Sequence, residues 1–254
     1  MSQYLTGNQI TLLCNGTDYF PALISAIDNA KHEIYLLTYI FELDKTGERI
    51  GEALQQAAKR GVSVHLLLDG FGSRILSKVY LKELMDVGVE VLFFRPKISP
   101  WTLKRSRLRR LHSKVSVVDG AVAFVGGINI IDDDNTPSHI PPRIDYAVQV
   151  RGPLLKDIQD NVKHIWKGVC RRQFYQTRQT TVKIDSAQLF AGRIRAAYLV
   201  RDNLKHRRDI ENAYLSAIES AKSEIIIANA YFLPGLRFRH ALRDAVDRGV
   251  SVKL

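Results

Sequence analysis

Two stretches of this chain repeat each other, and this repeat limits the folds that the chain can adopt. The segments LISAIDNAKHEI (23–34) and YLSAIESAKSEI (214–225) share seven of twelve residues, and AAKRGVSVHL (57–66) and AVDRGVSVKL (245–254) share seven of ten. The matches occur in the same order, at offsets of 191 and 188 residues. Solenoid repeats recur about every 20–50 residues, so this longer period indicates duplication of a whole folding unit.

Each copy alternates between patterns typical of helices and of buried strands. Apolar residues at helical spacing over 23–30 precede the continuous apolar run EIYLLTYIF, which is typical of a strand that is buried on both faces. Further helices are expected at 47–60, ending before Gly61, and near 76–87, and further strands at 62–70 and 89–94. Such alternation predicts an α/β fold with a largely parallel or mixed sheet flanked by helices.

The second copy is incomplete in this sequence. It ends at Leu254, which corresponds to Leu66 in the middle of a predicted strand. We therefore expect a fragment with a first half at 1–175, a connecting segment at 176–200 and the start of a truncated second half at 201–254.

Composition narrows the class of protein and its partners. The content of 46% hydrophobic and 25% charged residues is that of a soluble globular protein, and the net charge of +11 favours polyanions, either nucleic acid or an anionic membrane. The longest apolar run, IYLLTYIF at 34–41, is too short to span a bilayer, and the N-terminus lacks a signal peptide pattern, so any membrane attachment is expected to be peripheral. Cys14 and Cys170 lack metal or redox spacing.

The segment LHSKVSVVDGAVAFVGGIN (111–129) concentrates reactive groups. His112 and Lys114 are two residues apart, which places both side chains on one face of a strand. Asp119-Gly120 predicts a hairpin turn before the return strand AVAFV. The histidine can attack phosphorus or transfer a proton, and the lysine can neutralise phosphate oxygens, so the pair suits a phosphate diester.

Three residues after the return strand complete the expected phosphate site. Gly126 and Gly127 allow the backbone to approach a ligand closely, and Asn129 adds a side-chain amide.

The spacing H-x-K-x4-D-x6-G-G-x-N resembles the HKD motif of the phospholipase D superfamily. The Gly-Gly form and the flanking blocks at 39–73 and 144–153 are similar to bacterial cardiolipin synthases of the B type. The resemblance implies a phospholipase D-like fold that is internally duplicated. Each active site then contains two HKD motifs, one from each half, and needs no metal and no cofactor.

The resemblance also implies a role for each matched residue. His112 is expected to be the nucleophile that forms a phosphohistidine, or its acid/base partner, while Lys114 and Asn129 hold phosphate oxygens. Asp145, 33 residues after His112, matches a carboxylate that orients the imidazole. Asp119 matches the aspartate of the motif and is included in the catalytic set, although its place in an Asp-Gly turn favours a structural role.

A basic stretch directly precedes the motif and predicts a rim that binds lipid headgroups. Arginine and lysine side chains there would meet anionic lipid while apolar neighbours enter the interface, and the scarcity of aromatic residues disfavours nucleic acid. The rim residues are Trp101, Lys104, Arg105, Arg107, Arg109 and Arg110. A solvated basic loop is the alternative interpretation.

The expected activity is transfer of a phosphatidyl group from phosphatidylglycerol to a second lipid alcohol, giving cardiolipin at the cytoplasmic face of the cell membrane. The alternatives are a phospholipase D or HKD nuclease, and an inactive membrane-binding fragment that lacks the second motif. We expect this fragment alone to have little turnover. The pattern does not determine the acceptor lipid or the oligomeric state.

Overall fold

The computed structural model describes residues 3–95, 110–136, 140–177, 182, 184, 190–200, 208–229 and 232–254. Contacts divide the chain into a compact unit at Tyr4–Ala196 and a second unit that contains Ala197–Leu254. The predicted boundaries at 175 and 201 stay predictions. No helix in the described ranges combines the length and the apolar composition that crossing a bilayer requires.

The first unit contains eight strands and four helices among its described residues. In chain order they are β1 (Leu5–Cys14), α1 (Asn15–Asp28), β2 (Glu33–Thr38), α2 (Lys45–Lys59), β3 (Ser63–Asp69), α3 (Lys78–Asp86), β4 (Glu90–Phe94), β5 (Lys114–Val118), β6 (Val122–Gly126), β7 (Tyr146–Arg151), α4 (Leu155–Gln173) and β8 (Ile194–Ala196). The eight strands form one sheet in the order β4-β3-β2-β5-β6-β7-β1-β8. Strands β2, β3 and β4 are parallel, and the other pairings are antiparallel, so the predicted mixed α/β fold is confirmed.

Strand β2 lies inside the sheet and is buried on both faces, as its continuous apolar run predicts. Ile34 and Leu36 belong to the core that includes Leu23 of α1. Tyr35 points to the opposite face, where its ring centroid lies 6.3 Å from that of Trp166 in α4. Helices therefore cover both faces, because alternate side chains of a strand point in opposite directions.

The Asp119-Gly120 turn forms between β5 and β6 as predicted. Both residues have positive φ, 51° and 60°, and the N–H of Ala121 donates to the carbonyl oxygen of Val118 at 2.9 Å. The Asp119 carboxylate accepts three further backbone N–H groups at 2.7–2.8 Å, from Lys31, His32 and Glu33. These hydrogen bonds connect the turn to the start of β2 and stabilise its position.

Replacing Asp119 by alanine is expected to lower the free energy of unfolding by about 2–4 kcal/mol, because three backbone donors lose their acceptor and alanine disfavours positive φ. Urea unfolding followed by circular dichroism measures the change. Asp119→Asn is the matched control: it tolerates positive φ and retains one acceptor oxygen, so its loss should be smaller. Equal stability of Asp119→Ala and the unmodified chain would contradict this structural role.

The second unit contains α5 (Asp209–Ser220), β9 (Glu224–Ile226), α6 (Leu236–Asp247) and β10 (Ser251–Lys253). Its strands pair in parallel with Ser251 opposite Glu224, and in the first unit Ser63 lies opposite Glu33. Arg248 donates to the carbonyl oxygen of Ile218 at 3.0 Å, as Arg60 donates to that of Ile27 at 2.8 Å. The shared register and the shared arginine bond confirm the internal duplication.

Candidate active site

Most of the predicted site residues meet at one edge of the sheet. Lys114 is the first residue of β5, and His112 lies two residues before it. Lys114 pairs with Gly126 at the end of β6, and Gly126 pairs with Ala147 near the start of β7, two residues after Asp145. Two chain reversals therefore bring residues more than 30 positions apart to one edge, which sequence spacing alone does not guarantee.

His112 and Lys114 are in contact, as the i, i+2 spacing predicts. The Lys114 Nζ atom lies 3.5 Å from each imidazole nitrogen of His112 and donates to the His112 carbonyl oxygen at 3.2 Å. Lys114 is only 7% exposed, whereas His112 is exposed. The Tyr39 ring packs against this pair, 5.1 Å from the His112 ring and 5.5 Å from Lys114 Nζ.

Burial shifts both groups towards their neutral forms, and the Lys114 charge adds to the shift of His112. Burial lowers the pKa of His112, the Lys114 ammonium lowers it further, and the Asp69 carboxylate raises it. Burial also lowers the pKa of Lys114, and the Asp145 carboxylate opposes that shift. The imidazole therefore remains neutral, and able to act as a nucleophile or base, to a pH below its usual range.

Asp145 acts on Lys114 in this arrangement. Within the described residues the imidazole of His112 makes no hydrogen bond to Asp145; the Asp145 Oδ1 atom accepts from the Tyr146 N–H at 2.7 Å. A Cβ atom at Gly127 would collide with the Asp145 carboxylate. Gly127 thus makes room for the carboxylate whose charge supports the Lys114 ammonium, and orientation of the imidazole by Asp145 stays a prediction.

The segment from Gly126 to Asn129 packs closely against its neighbours. The Gly127 N–H already donates to the Tyr146 carbonyl oxygen at 2.9 Å, so it has no free donor for a phosphate. The Oδ1 atom of Asn129 accepts from the Ile40 N–H at 3.0 Å. This bond leaves the NH₂ group of Asn129 as the part of its amide that can donate to a ligand.

Asp119 lies away from this group of residues. It follows the last residue of β5, whereas Lys114 is the first, and strand geometry separates the two positions by about 16 Å. Its carboxylate is occupied by the three N–H groups of the β2 entry. The structure thus does not bring Asp119 to the edge that holds His112.

Asp69 is a site residue that the sequence analysis missed. It is fully buried at the end of β3, and its carboxylate accepts N–H groups from Phe71 at 2.9 Å, Gly72 at 3.1 Å and Leu111 at 2.8 Å. Leu111 is adjacent to His112, and the Asp69 charge also favours the imidazolium form. Asp69 resembles an ordinary strand residue in the sequence because its partner at 111 is 42 positions away.

Replacing Asp69 by asparagine is expected to lower the pKa of His112, since the carboxylate charge that raises this pKa is removed. The protonated form of His112 should then be lost at a lower pH in the variant. Titration of the His112 ring followed by NMR measures the shift. Asp86→Asn, on the exposed surface of α3, is the control and should leave this titration unchanged. An unchanged or higher His112 pKa in Asp69→Asn would exclude the electrostatic role.

The predicted basic rim is only partly described. Trp101, Lys104, Arg105, Arg107 and Arg109 lie outside the described residues. Arg110 is described, and its guanidinium carbon lies 5.1 Å from the Phe71 ring centroid. In the described part of the chain no group of three His, Cys, Asp or Glu side chains is placed to hold a metal ion.

Comparisons with known proteins connect this geometry to a family. Residues 23–139 match the family described as "Cardiolipin synthase, PLD-like domain". Cardiolipin synthase B of Salmonella typhi is 41% identical over 250 residues, and that of Escherichia coli K12 is 38% identical over 249 residues. Each alignment covers 98% of this chain, which spans 59% of the length of either relative.

A solved structure supports the fold alone. The phosphatidylserine synthase of Haemophilus influenzae Rd KW20 superposes with a TM-score of 0.63 at 15% identity, covering 99% of this chain and 62% of that protein. The family match, the two relatives and the His112–Lys114 arrangement all indicate the same kind of domain. Residues 23–139 of this chain are a phospholipase D-like domain of the kind that the cardiolipin synthase family model describes.

Proposed function

We propose that this chain supplies one half of the active site of a cardiolipin synthase-type phosphatidyltransferase. The observation that carries the proposal is the buried Lys114 ammonium, 3.5 Å from both nitrogens of the exposed His112 imidazole. This pair combines a nucleophile with a cation for phosphate oxygens. The identity of 38–41% to two proteins named cardiolipin synthase B supports lipid phosphate diesters as the substrate class.

The first chemical step is attack on the phosphate diester of phosphatidylglycerol. A neutral His112 ring nitrogen forms a bond to phosphorus, and the bond from phosphorus to the glycerol oxygen breaks. The glycerol oxygen takes a proton from a general acid, for which the family pattern supplies a histidine in the second half. Lys114 and the Asn129 NH₂ group stabilise the negative charge on the non-bridging oxygens.

The second step regenerates the histidine. The hydroxyl oxygen of a second phosphatidylglycerol attacks phosphorus, loses its proton to the general base and displaces His112, giving cardiolipin. Asp145 assists both steps through Lys114, because its negative charge favours the ammonium form. Neither step consumes a cofactor.

The substrate and product of these steps make phosphatidylglycerol, cardiolipin and the cytoplasmic membrane surface the proposed partners. The proposed attachment to the membrane is peripheral.

The test is an assay for cardiolipin formation. Labelled phosphatidylglycerol vesicles are incubated with the 254-residue chain and, separately, with a longer polypeptide that carries a complete second half with its own H-x-K motif. We expect cardiolipin and glycerol from the longer polypeptide, in the presence of chelator, and little turnover by the 254-residue chain. Phosphatidic acid as the main product would favour hydrolysis, and cleavage of DNA without reaction on lipid would contradict the proposal.

A further inference from the structure

The loop and helix start that follow β3 expose apolar side chains between basic ones. Ile75 is 72% exposed, Val79 67% and Phe71 37%, and Arg74 and Lys78 lie between them in the chain. From Gly70 to Lys82 there is no acidic residue. We call the surface of Phe71, Arg74, Ile75, Lys78 and Val79 the 71–79 surface.

Cations also flank the aromatic ring of this surface. The guanidinium carbon of Arg74 lies 4.6 Å from the Phe71 ring centroid, and that of Arg110 lies 5.1 Å from it. The 71–79 surface therefore presents large apolar groups and net positive charge together. Exposed isoleucine and valine side chains are unfavourable in water. The boundary of an anionic bilayer buries such apolar side chains and attracts the adjacent cations.

Hydrogen bonds to Tyr39 and Asp69 connect the loop that carries the 71–79 surface to the candidate active site. Ser73 donates its hydroxyl to the Tyr39 carbonyl oxygen at 3.1 Å, and the Tyr39 ring lies 5.1 Å from the His112 ring. Asp69 accepts N–H groups from both Phe71 and Leu111, the residue before His112. A bilayer that contacts the 71–79 surface would thus lie next to the edge that holds His112.

We propose that the 71–79 surface docks this protein on an anionic lipid bilayer, with Ile75 and Val79 entering the interface and Arg74 and Lys78 meeting the headgroups. The proposal deepens the proposed function and rests on it for the lipid substrate. The phosphate of a membrane lipid lies at the headgroup level, so docking here presents that phosphate to His112 without extracting the lipid.

Vesicle binding tests the proposal. The 254-residue chain is sedimented with vesicles of phosphatidylglycerol and phosphatidylcholine, or with phosphatidylcholine alone. We expect binding to the anionic vesicles only. Arg74→Ala/Lys78→Ala should weaken it about 25-fold at low salt, about fivefold for each cation, and Ile75→Ser/Val79→Ser about tenfold. Circular dichroism and the melting temperature establish that each variant is folded.

Matched substitutions elsewhere on the surface serve as controls. Val246→Ser removes a valine that is 54% exposed in the second unit, and Lys59→Ala removes an exposed cation of α2; both should bind within about twofold of the unmodified chain. Ile75→Trp adds a direct reporter, and its emission should shift to shorter wavelength with anionic vesicles, because tryptophan favours the membrane interface.

Three results would overturn the docking proposal. They are unchanged binding by both double variants, equal binding to neutral vesicles, and loss of DNA binding by Arg74→Ala/Lys78→Ala without any change in vesicle binding. Sedimentation requires no turnover, so docking and transfer can fail separately. Anionic vesicle binding that depends on this surface would support docking even if the longer polypeptide formed no cardiolipin, and that failure would count against the proposed transferase alone.

Discussion

Replacing His112 by alanine is expected to lower phosphatidyl transfer by about 10⁴-fold, in a polypeptide that completes the second half of the site. In the proposed mechanism the imidazole is the nucleophile, so no phosphohistidine forms without it. The assay measures cardiolipin from labelled phosphatidylglycerol, and acid-labile label on the protein reports the intermediate. Because His112 is exposed, the free energy of unfolding should change little.

His164→Ala is the matched control, because His164 is an exposed histidine of α4 and takes part in none of the site contacts described above. It should retain full transfer. Normal transfer by His112→Ala would contradict any catalytic role for this histidine. Loss of transfer with retention of the labelled protein would instead assign the nucleophile to the second half and the acid/base role to His112.

Replacing Lys114 by methionine is expected to lower transfer by about 10²–10³-fold, the range found when one group that stabilises a developing anion is removed. Methionine retains much of the buried apolar stem and removes the charge. Because the ammonium lowers the pKa of His112, that pKa should rise in the variant. The acid limb of the rate profile should therefore move to higher pH, since neutral His112 then requires a higher pH.

NMR titration of the His112 ring checks the direction of this shift independently of turnover. Lys156→Met, which removes a surface lysine paired with Asp160 at 2.6 Å, is the control and should change neither the titration nor the rate. A fall in the His112 pKa in Lys114→Met would contradict the electrostatic coupling. A rise in that pKa with undiminished transfer would show that Lys114 does not stabilise the reacting phosphate.

Local patterns predicted much of the fold. The apolar run of β2, the Asp119-Gly120 turn and the alternation of helices and strands depend on neighbouring residues, and the structure confirms them. The pairing of β1 with β7 was not predicted, because it joins residues that are far apart in the sequence, such as Leu12 and Val148. Half-exposed strands such as β1 have weak apolar runs, so their place in a sheet depends on distant partners.

The sequence by itself determined the duplication, the α/β class and the His112–Lys114 pair, because each follows from repeated segments or from the two-residue period of a strand. Only the tertiary structure decided which carboxylates act on that pair. In the folded chain Asp69 accepts the Leu111 N–H, and the charge of Asp145 acts on Lys114. Asp119 lies at the other end of β5, where it bonds to the start of β2. The physical reason is that a carboxylate acts through distance and burial, and chain folding sets both.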